Sequence, residues 1–194
     1  MEAQQNATIA GEYYLRGVME TASGFKLNDD NSFEFFYSYG ALDRTGQGTW
    51  KLKDEQIILN GPRSKIPSFT LVDSKVLEDE FVTIKILEDN PAFLSSVHVM
   101  VKSGSKRLES RTENGLIRFP KQPVDSITLI FEYCPENTAV LTFTGKKENY
   151  FEFNIAPSVM DVYFERLVLT LDKTGFYGQH PLLKDGVYHF IKSH

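Results

Sequence analysis

The sequence lacks features on which several classes of protein depend. It has one cysteine, Cys134, so no disulfide can form within the chain, and we expect this residue to be a small buried hydrophobic one. No apolar run is long enough to cross a membrane as a helix. The net charge is −5, and Lys146-Lys147 is the longest run of positive charge. These features disfavour nucleic acid or an anionic membrane as a partner, and membrane insertion as well.

Motifs for catalysis and metal binding are also missing. The four histidines include no closely spaced pair of zinc ligands. There is no G-x-S-x-G nucleophile motif and no glycine-rich phosphate loop followed by a helix. The acidic stretch "NDDNS" lacks the length and the closing Glu of a calcium loop, so it indicates a hairpin turn. We therefore expect a non-enzymatic protein without metal or cofactor.

Helical periodicity is absent too, and the sequence predicts no helix. Apolar residues instead recur at every second position, and Gly, Asn, Asp and Pro interrupt the chain at intervals of about eight to twelve residues. Aromatic residues make up 13% of the chain, and large rings favour the half-buried surface of a pleated sheet. The pattern predicts an all-β fold.

The strand pattern divides the chain into two domains. Residues 11–60 are predicted to form an antiparallel meander of about five strands, with a loop at "GALDRTGQG". Residues 61–69 have the composition of a connector. The segments "VYFERLVLTL" and "VYHFIK" near the end return to the aromatic pattern of the meander. We therefore predict one domain from residues 8–71 plus 158–194 and another from residues 72–157.

Five strands are too few to close a barrel, and an open meander leaves edges exposed. We predict that the C-terminal strands pair with the meander and complete it, so that residues 72–157 are an insertion. The triplet Gly186-Val187-Tyr188 is expected beside the opening Gly11-Glu12-Tyr13.

Residues 72–157 show the alternation of a β-sandwich. The apolar residues on one side of each strand are expected to form its core. They are Val82, Ile84, Ile86, Val97, Val99, Val101, Ile127, Leu129, Phe131, Tyr133, Phe151, Phe153 and Ile155.

Several stretches resemble known families. Residues 88–94, the turn Thr112-Glu113-Asn114-Gly115 and the pair Phe119-Pro120 resemble the carboxypeptidase-regulatory or transthyretin-like sandwich, although Phe93 stands where that family often has Gly. The G-x-Y start at Gly11 and the triplet Gly48-Thr49-Trp50 resemble the opening strands of small lipocalin-like barrels. Both resemblances imply binding or scaffolding domains of exported bacterial proteins. The polar start "MEAQQNATIAG" has no apolar leader core, and we expect a periplasmic or secreted protein.

One aromatic row raises the question of a ligand site. In "SFEFFYSYGALDRTGQGTW", Phe33, Phe35, Tyr37 and Tyr39 share one side of a two-residue period, which suits either a core wall or a ligand site. Alternation predicts that Phe33 and Phe35 are almost wholly buried and that Phe36 is partly so. Rings with a few polar groups are typical of small-molecule sites. The predicted ligand-binding residues are Arg16, Tyr37, Tyr39, Asp43 and Trp50.

Three functions stay open at this point. The preferred one is a non-enzymatic protein that binds a small apolar or aromatic ligand, or a partner protein, on the aromatic sheet face. The second is a structural, adhesion or assembly module that binds a protein through its sheet edges. The third is a hydrolase, which would need a nucleophile hydrogen-bonded to a base in a cleft.

Overall fold

The computed structural model describes residues 9–193 and shows an all-β fold. The chain forms two compact units, one from the residues up to Ser64 together with those from Met160 onward, and one from Lys65–Val159. In chain order the strands are β1 (Gly11–Arg16), β2 (Thr21–Leu27), β3 (Ser32–Tyr39), β4 (Leu42–Lys53), β5 (Gln56–Gly61), β6 (Phe69–Lys75), β7 (Phe81–Leu87), β8 (Val97–Ser103), β9 (Lys106–Arg111), β10 (Leu116–Pro120), β11 (Ser126–Phe131), β12 (Ala139–Thr142), β13 (Tyr150–Ile155), β14 (Asp161–Val162), β15 (Phe164–Leu171), β16 (Gly175–Gly178) and β17 (Tyr188–Lys192).

The first unit is a closed barrel of eight antiparallel strands. Their order is β4-β3-β2-β1-β17-β16-β15-β5, and the pairing of β5 with β4 closes the ring. The short strand β14 lies parallel to the first half of β4. The prediction that C-terminal strands complete the N-terminal meander is confirmed, because β17 pairs with β1 and β15 pairs with β5.

The register of the closing pair differs from the expected one. Tyr13 lies opposite Lys192, and Arg16 lies opposite His189. Because the two strands are antiparallel, the beginning of β17 meets the end of β1. The triplet that ends at Tyr188 therefore lies beyond Arg16 and not beside Gly11.

The stretch predicted as a loop after β3 is mostly strand. A two-residue turn, Gly40-Ala41, joins β3 to β4, which begins at Leu42 and continues through Gly46 and Gly48. A side chain at Gly46 would come within 2.7 Å of the Val162 carbonyl oxygen, and one at Gly48 would meet the Asn60 backbone. These glycines serve close backbone approach within the sheet and do not mark a loop.

Side chains alternate between the inside and the outside of the barrel. Phe33 and Phe35 are 1% and 2% exposed, whereas Phe36 is 37% exposed, as alternation predicts. The inward side chains form a cluster of buried hydrophobic residues, most of them aromatic. They are Tyr13, Leu15, Phe25, Leu27, Phe33, Phe35, Tyr37, Trp50, Ile57, Leu59, Val162, Phe164, Leu169, Phe176 and Phe190.

The second unit contains two four-stranded sheets, ordered β10-β7-β13-β6 and β12-β11-β8-β9. The predicted core positions of its strands are buried, and so is Cys134. Tyr133 is the exception and is half-exposed, because β11 ends at Phe131 and the alternation does not continue into the following turn.

Short helical turns correct the expectation that the chain has no helix. The one-turn helix α1 (Pro91–Leu94) is capped by the Asn90 side chain, which accepts a hydrogen bond from the Ala92 amide. A 3₁₀ turn spans Pro157–Met160. Within residues 9–193, no helix is long and apolar enough to span a membrane.

Candidate ligand-binding groove

Three of the predicted site residues lie at one end of the barrel. Arg16 ends β1, Tyr39 ends β3, and Asp43 pairs with Ser38 at the start of β4. The turns β1–β2 and β3–β4 are at this end because the strands alternate in direction. Arg16 and Asp43 are exposed and Tyr39 is 50% exposed, so their side chains reach solvent at the rim.

The other two predicted residues lie inside the barrel. Tyr37 points inward and is buried. Trp50 is 2% exposed, and its indole nitrogen donates a hydrogen bond to the Asn28 carbonyl at 3.0 Å. Asn28 belongs to the β2–β3 turn, at the end of the barrel opposite Arg16. The structure thus groups Arg16 with its two rim neighbours and does not bring Trp50 to them.

The barrel interior holds a buried histidine that the sequence analysis did not select. His180 is 1% exposed, and its ring centroid lies 5.6–5.9 Å from the centroids of Phe35, Tyr37, Tyr188 and Phe190. Burial away from water disfavours the charged ring and lowers the pKa of His180 from 6.5 to about 4.

The hydrogen bonds of His180 explain how the neutral ring is accommodated. Its Nδ1 accepts from the amides of Leu182 and Leu183, at 3.0 and 3.2 Å. Its Nε2 lies 3.0 Å from the hydroxyl of Ser23, which itself donates to the Phe36 carbonyl at 2.8 Å. The proton of the neutral ring is therefore assigned to Nε2, and His180 fixes the segment that precedes β17.

A second inward polar group, the buried Arg44, is also not among the predicted site residues. Arg44 lies opposite Tyr37 on the neighbouring strand and is 3% exposed. Its guanidinium donates to the carbonyls of Met160 and Asp161, each at 3.2 Å. Charge-assisted bonds of this kind hold β14 against the barrel.

A groove of about 600 Å³ lies on the outer face of the same strands. Its floor is a cross-strand row in which Tyr14, Gly24, Phe36 and Thr45 lie directly opposite one another. A side chain at Gly24 would come within 2.8 Å of the Phe36 ring and 3.2 Å of the Tyr14 ring. Both rings therefore lie over bare backbone, with their centroids 6.1 Å apart. We call this site the Phe36 groove.

A charged row runs beside the aromatic one. From β1 to β4, its members are Glu12, Lys26, Glu34 and Gln47, each directly opposite the next. Lys26 Nζ lies 3.8 Å from Glu34 Oε1, and the Tyr14 hydroxyl donates to Glu12 at 2.7 Å. This hydrogen bond raises the pKa of Tyr14, so the phenol stays a neutral donor.

The segment around β14 contributes another side of the groove. Asp161 pairs with Thr45 at the end of the aromatic row, and Tyr163 follows two residues later, near Pro62 and Ser64. Burial raises the pKa of the Asp161 carboxyl and, together with the neighbouring charge of Asp161, that of the Tyr163 phenol. The groove thus combines the rings of Tyr14, Phe36 and Tyr163 with carboxylates and one amine.

None of the five predicted site residues lines this groove. A signal for it is present in the sequence, because Tyr14 lies two positions before Arg16 and therefore on the same face of β1. Asp161 and Tyr163 are more than a hundred residues away in the sequence, and only the parallel pairing of β14 brings them to β4. Among residues 9–193, no group of three or more His, Cys, Asp or Glu side chains is arranged to hold a metal ion.

No known protein family, curated protein or solved structure matches this chain.

Proposed function

We propose that this chain is a non-enzymatic binding protein and that the Phe36 groove holds a small molecule with a flat, apolar part. The observation that carries the proposal is the pair of rings over Gly24. Tyr14 and Phe36 lie against the Gly24 backbone, and both rings are only partly covered from solvent. Rings beside a few oriented polar groups are the usual lining of a small-molecule site.

The barrel interior supports placing the ligand outside. The rings that fill it contact one another, with Tyr13 and Phe176 centroids 4.4 Å apart and Phe25 and Phe35 centroids 4.8 Å apart. Lipocalin-like barrels, which the opening strands resemble, suggest a binding role. We transfer that role to the outer face, and we propose export to the periplasm or the medium on the same resemblance.

Binding of a partner through the sheet edges is less favoured. The edge strands of the second unit are β10, β6, β12 and β9. Three of them carry charged residues, and β12 has only four residues. Charges and short length are the features by which edge strands avoid adding a further strand.

A ligand screen on matched variants tests the proposal. Small aromatic compounds would be titrated against the protein, Phe36→Ala and Tyr39→Ala, with binding followed by NMR chemical shifts. We expect a bound compound to lose about 10-fold or more in affinity in Phe36→Ala. Tyr39→Ala, which removes an exposed ring of the same strand outside the groove, should bind normally.

Two results would overturn the proposal. One is the absence of any bound compound from a broad screen. The other is binding that Tyr39→Ala weakens and Phe36→Ala leaves unchanged, which would move the site to the barrel end with Arg16 and Asp43.

A further inference from the structure

The Phe36 groove has a chemical asymmetry that narrows the class of its ligand. We infer that the ligand carries a protonated amine beside its flat apolar part, and that the amine binds next to Glu12, Tyr14 and Phe36. This inference rests on the proposed binding function.

The charges that line the groove favour a cation at this end. In the charged row one amine, Lys26, stands between two carboxylates, Glu12 and Glu34. Lys26 forms its ion pair with Glu34, with Nζ 3.8 Å from Oε1. Among the described residues, Glu12 forms no ion pair, and its side chain accepts from the neutral hydroxyl of Tyr14. The row therefore has a surplus of one negative charge, nearest to the Tyr14 ring.

The opposite end of the groove has positive groups of its own. Arg44 donates to the backbone of Asp161, and the Arg63 guanidinium lies over the Tyr163 ring, 5.3 Å from its centroid. The electrostatic field of these two cations offsets that of the Asp161 carboxyl. A ligand amine is for this reason assigned to the Glu12 end and not to the Asp161 end.

The rings at the Glu12 end suit the same group. Ammonium ions are attracted to the faces of aromatic rings within about 6 Å. Tyr14 and Phe36 lie at an interplanar angle of 62°, so a ligand at their junction meets two rings in different orientations. A carboxylate beside two rings provides both the negative charge and the aromatic faces that an arylalkylammonium ion requires.

Three probes of equal ring and similar length separate charge from shape. They are 2-phenylethylamine, 2-phenylethanol and 3-phenylpropionate, each titrated by calorimetry at pH 7 and low salt. We expect the amine to bind about 10-fold more tightly than the alcohol, and the acid to bind most weakly. Glu12→Gln should abolish the preference for the amine and leave alcohol binding nearly unchanged.

Control variants separate an amine preference caused by Glu12 from a general effect of removing a carboxylate. Glu55→Gln removes an exposed carboxylate outside the groove and should keep the preference. If the alcohol binds as tightly as the amine and Phe36→Ala weakens both, the groove is a binding site and the inference of a cationic ligand is wrong. An amine preference that survives Glu12→Gln also overturns it. If no probe binds at all, the inference fails, and the broader screen decides whether the proposed function fails with it.

Discussion

The inner and outer faces of the first four strands use the same residue types for different purposes. Phe35 and Phe36 are neighbours on β3, and Tyr13 and Tyr14 are neighbours on β1. The inner member of each pair is 2% exposed, packed among other rings. The outer members meet each other over Gly24, in a groove open to solvent. The pleat of the strand, not the residue type, decides which ring belongs to the core.

The two tyrosines show the same difference in their chemistry. Burial raises the pKa of Tyr13 to about 12, and its hydroxyl donates to the Ile9 carbonyl. The pKa of Tyr14 is raised mainly by its hydrogen bond to Glu12, at the protein surface. The inner phenol is protected by its surroundings, whereas the outer one takes part in a polar contact that a ligand can reach.

The largest expected effect separates the two phenylalanines. Phe35→Ala should reduce the free energy of unfolding by about 3–5 kcal/mol, because it removes a fully buried ring that packs against Phe25 and Phe164. Phe36→Ala should cost about 1 kcal/mol or less. Urea denaturation followed by the fluorescence of Trp50 measures both. Equal losses in the two variants would contradict the assignment of inner and outer faces.

The buried histidine predicts a pH dependence of almost the same size. The folded-state pKa of His180 is lowered from 6.5 to about 4, so the unfolded chain takes up a proton that the folded barrel excludes. The contribution to stability is complete above about pH 6.5 and is lost as the pH falls toward 4. The loss amounts to about 3 kcal/mol.

Comparison with His180→Gln isolates this contribution from that of the carboxylates. The difference in unfolding free energy between the protein and the variant should shrink by that amount from pH 7 to pH 4. A difference that stays constant across this range would show that His180 is protonated as readily in the barrel as in water.

The buried arginine should have a smaller effect. Arg44→Met keeps an unbranched apolar side chain but removes the donors to the Met160 and Asp161 carbonyls. We expect a loss of about 1–3 kcal/mol in unfolding free energy. We also expect faster hydrogen exchange of the β14 amides than in a control variant of exposed Arg16. An unchanged exchange rate would show that β14 is held by other contacts.

The smallest effect concerns Tyr39, which the alternation places with Phe33, Phe35 and Tyr37. Tyr39→Ala should change the free energy of unfolding by less than about 0.5 kcal/mol, because the ring lies half-exposed at the barrel rim. Tyr37→Ala, its buried counterpart two residues earlier, should cost several times more in the same denaturation experiment. A large loss in Tyr39→Ala would mean that the core extends to the rim.

Local patterns were sufficient to predict most of the fold. Period-two alternation identified the buried faces of β3 and of the sandwich strands, and the shortage of strands in the meander indicated that the C-terminal strands close the barrel. The failures began where local alternation ends. Tyr133 continues the alternation of its segment, but β11 ends at Phe131, two residues before it, and the ring is half-exposed.

The candidate groove could not be predicted because it depends on register. Tyr14, Gly24 and Phe36 meet only if β1, β2 and β3 pair with one particular alignment, and a shift of one residue would send these side chains into the core. The predicted set mixed residues of both faces and both barrel ends for the same reason. The ligand-binding role of Arg16, Tyr37, Tyr39, Asp43 and Trp50 stays a prediction.

Within each unit, the strands nearest to the two connecting segments pair with each other, and this has a consequence for how the chain folds. In the second unit Phe69 lies opposite Ile155, so its first and last strands are neighbours. In the barrel Gly61 lies opposite Phe164. Once β6 and β13 have paired, a loop of some hundred residues between β5 and β15 is reduced to two short connections, and the entropy lost on closing the barrel falls accordingly. Early formation of the inserted unit would therefore accelerate barrel closure.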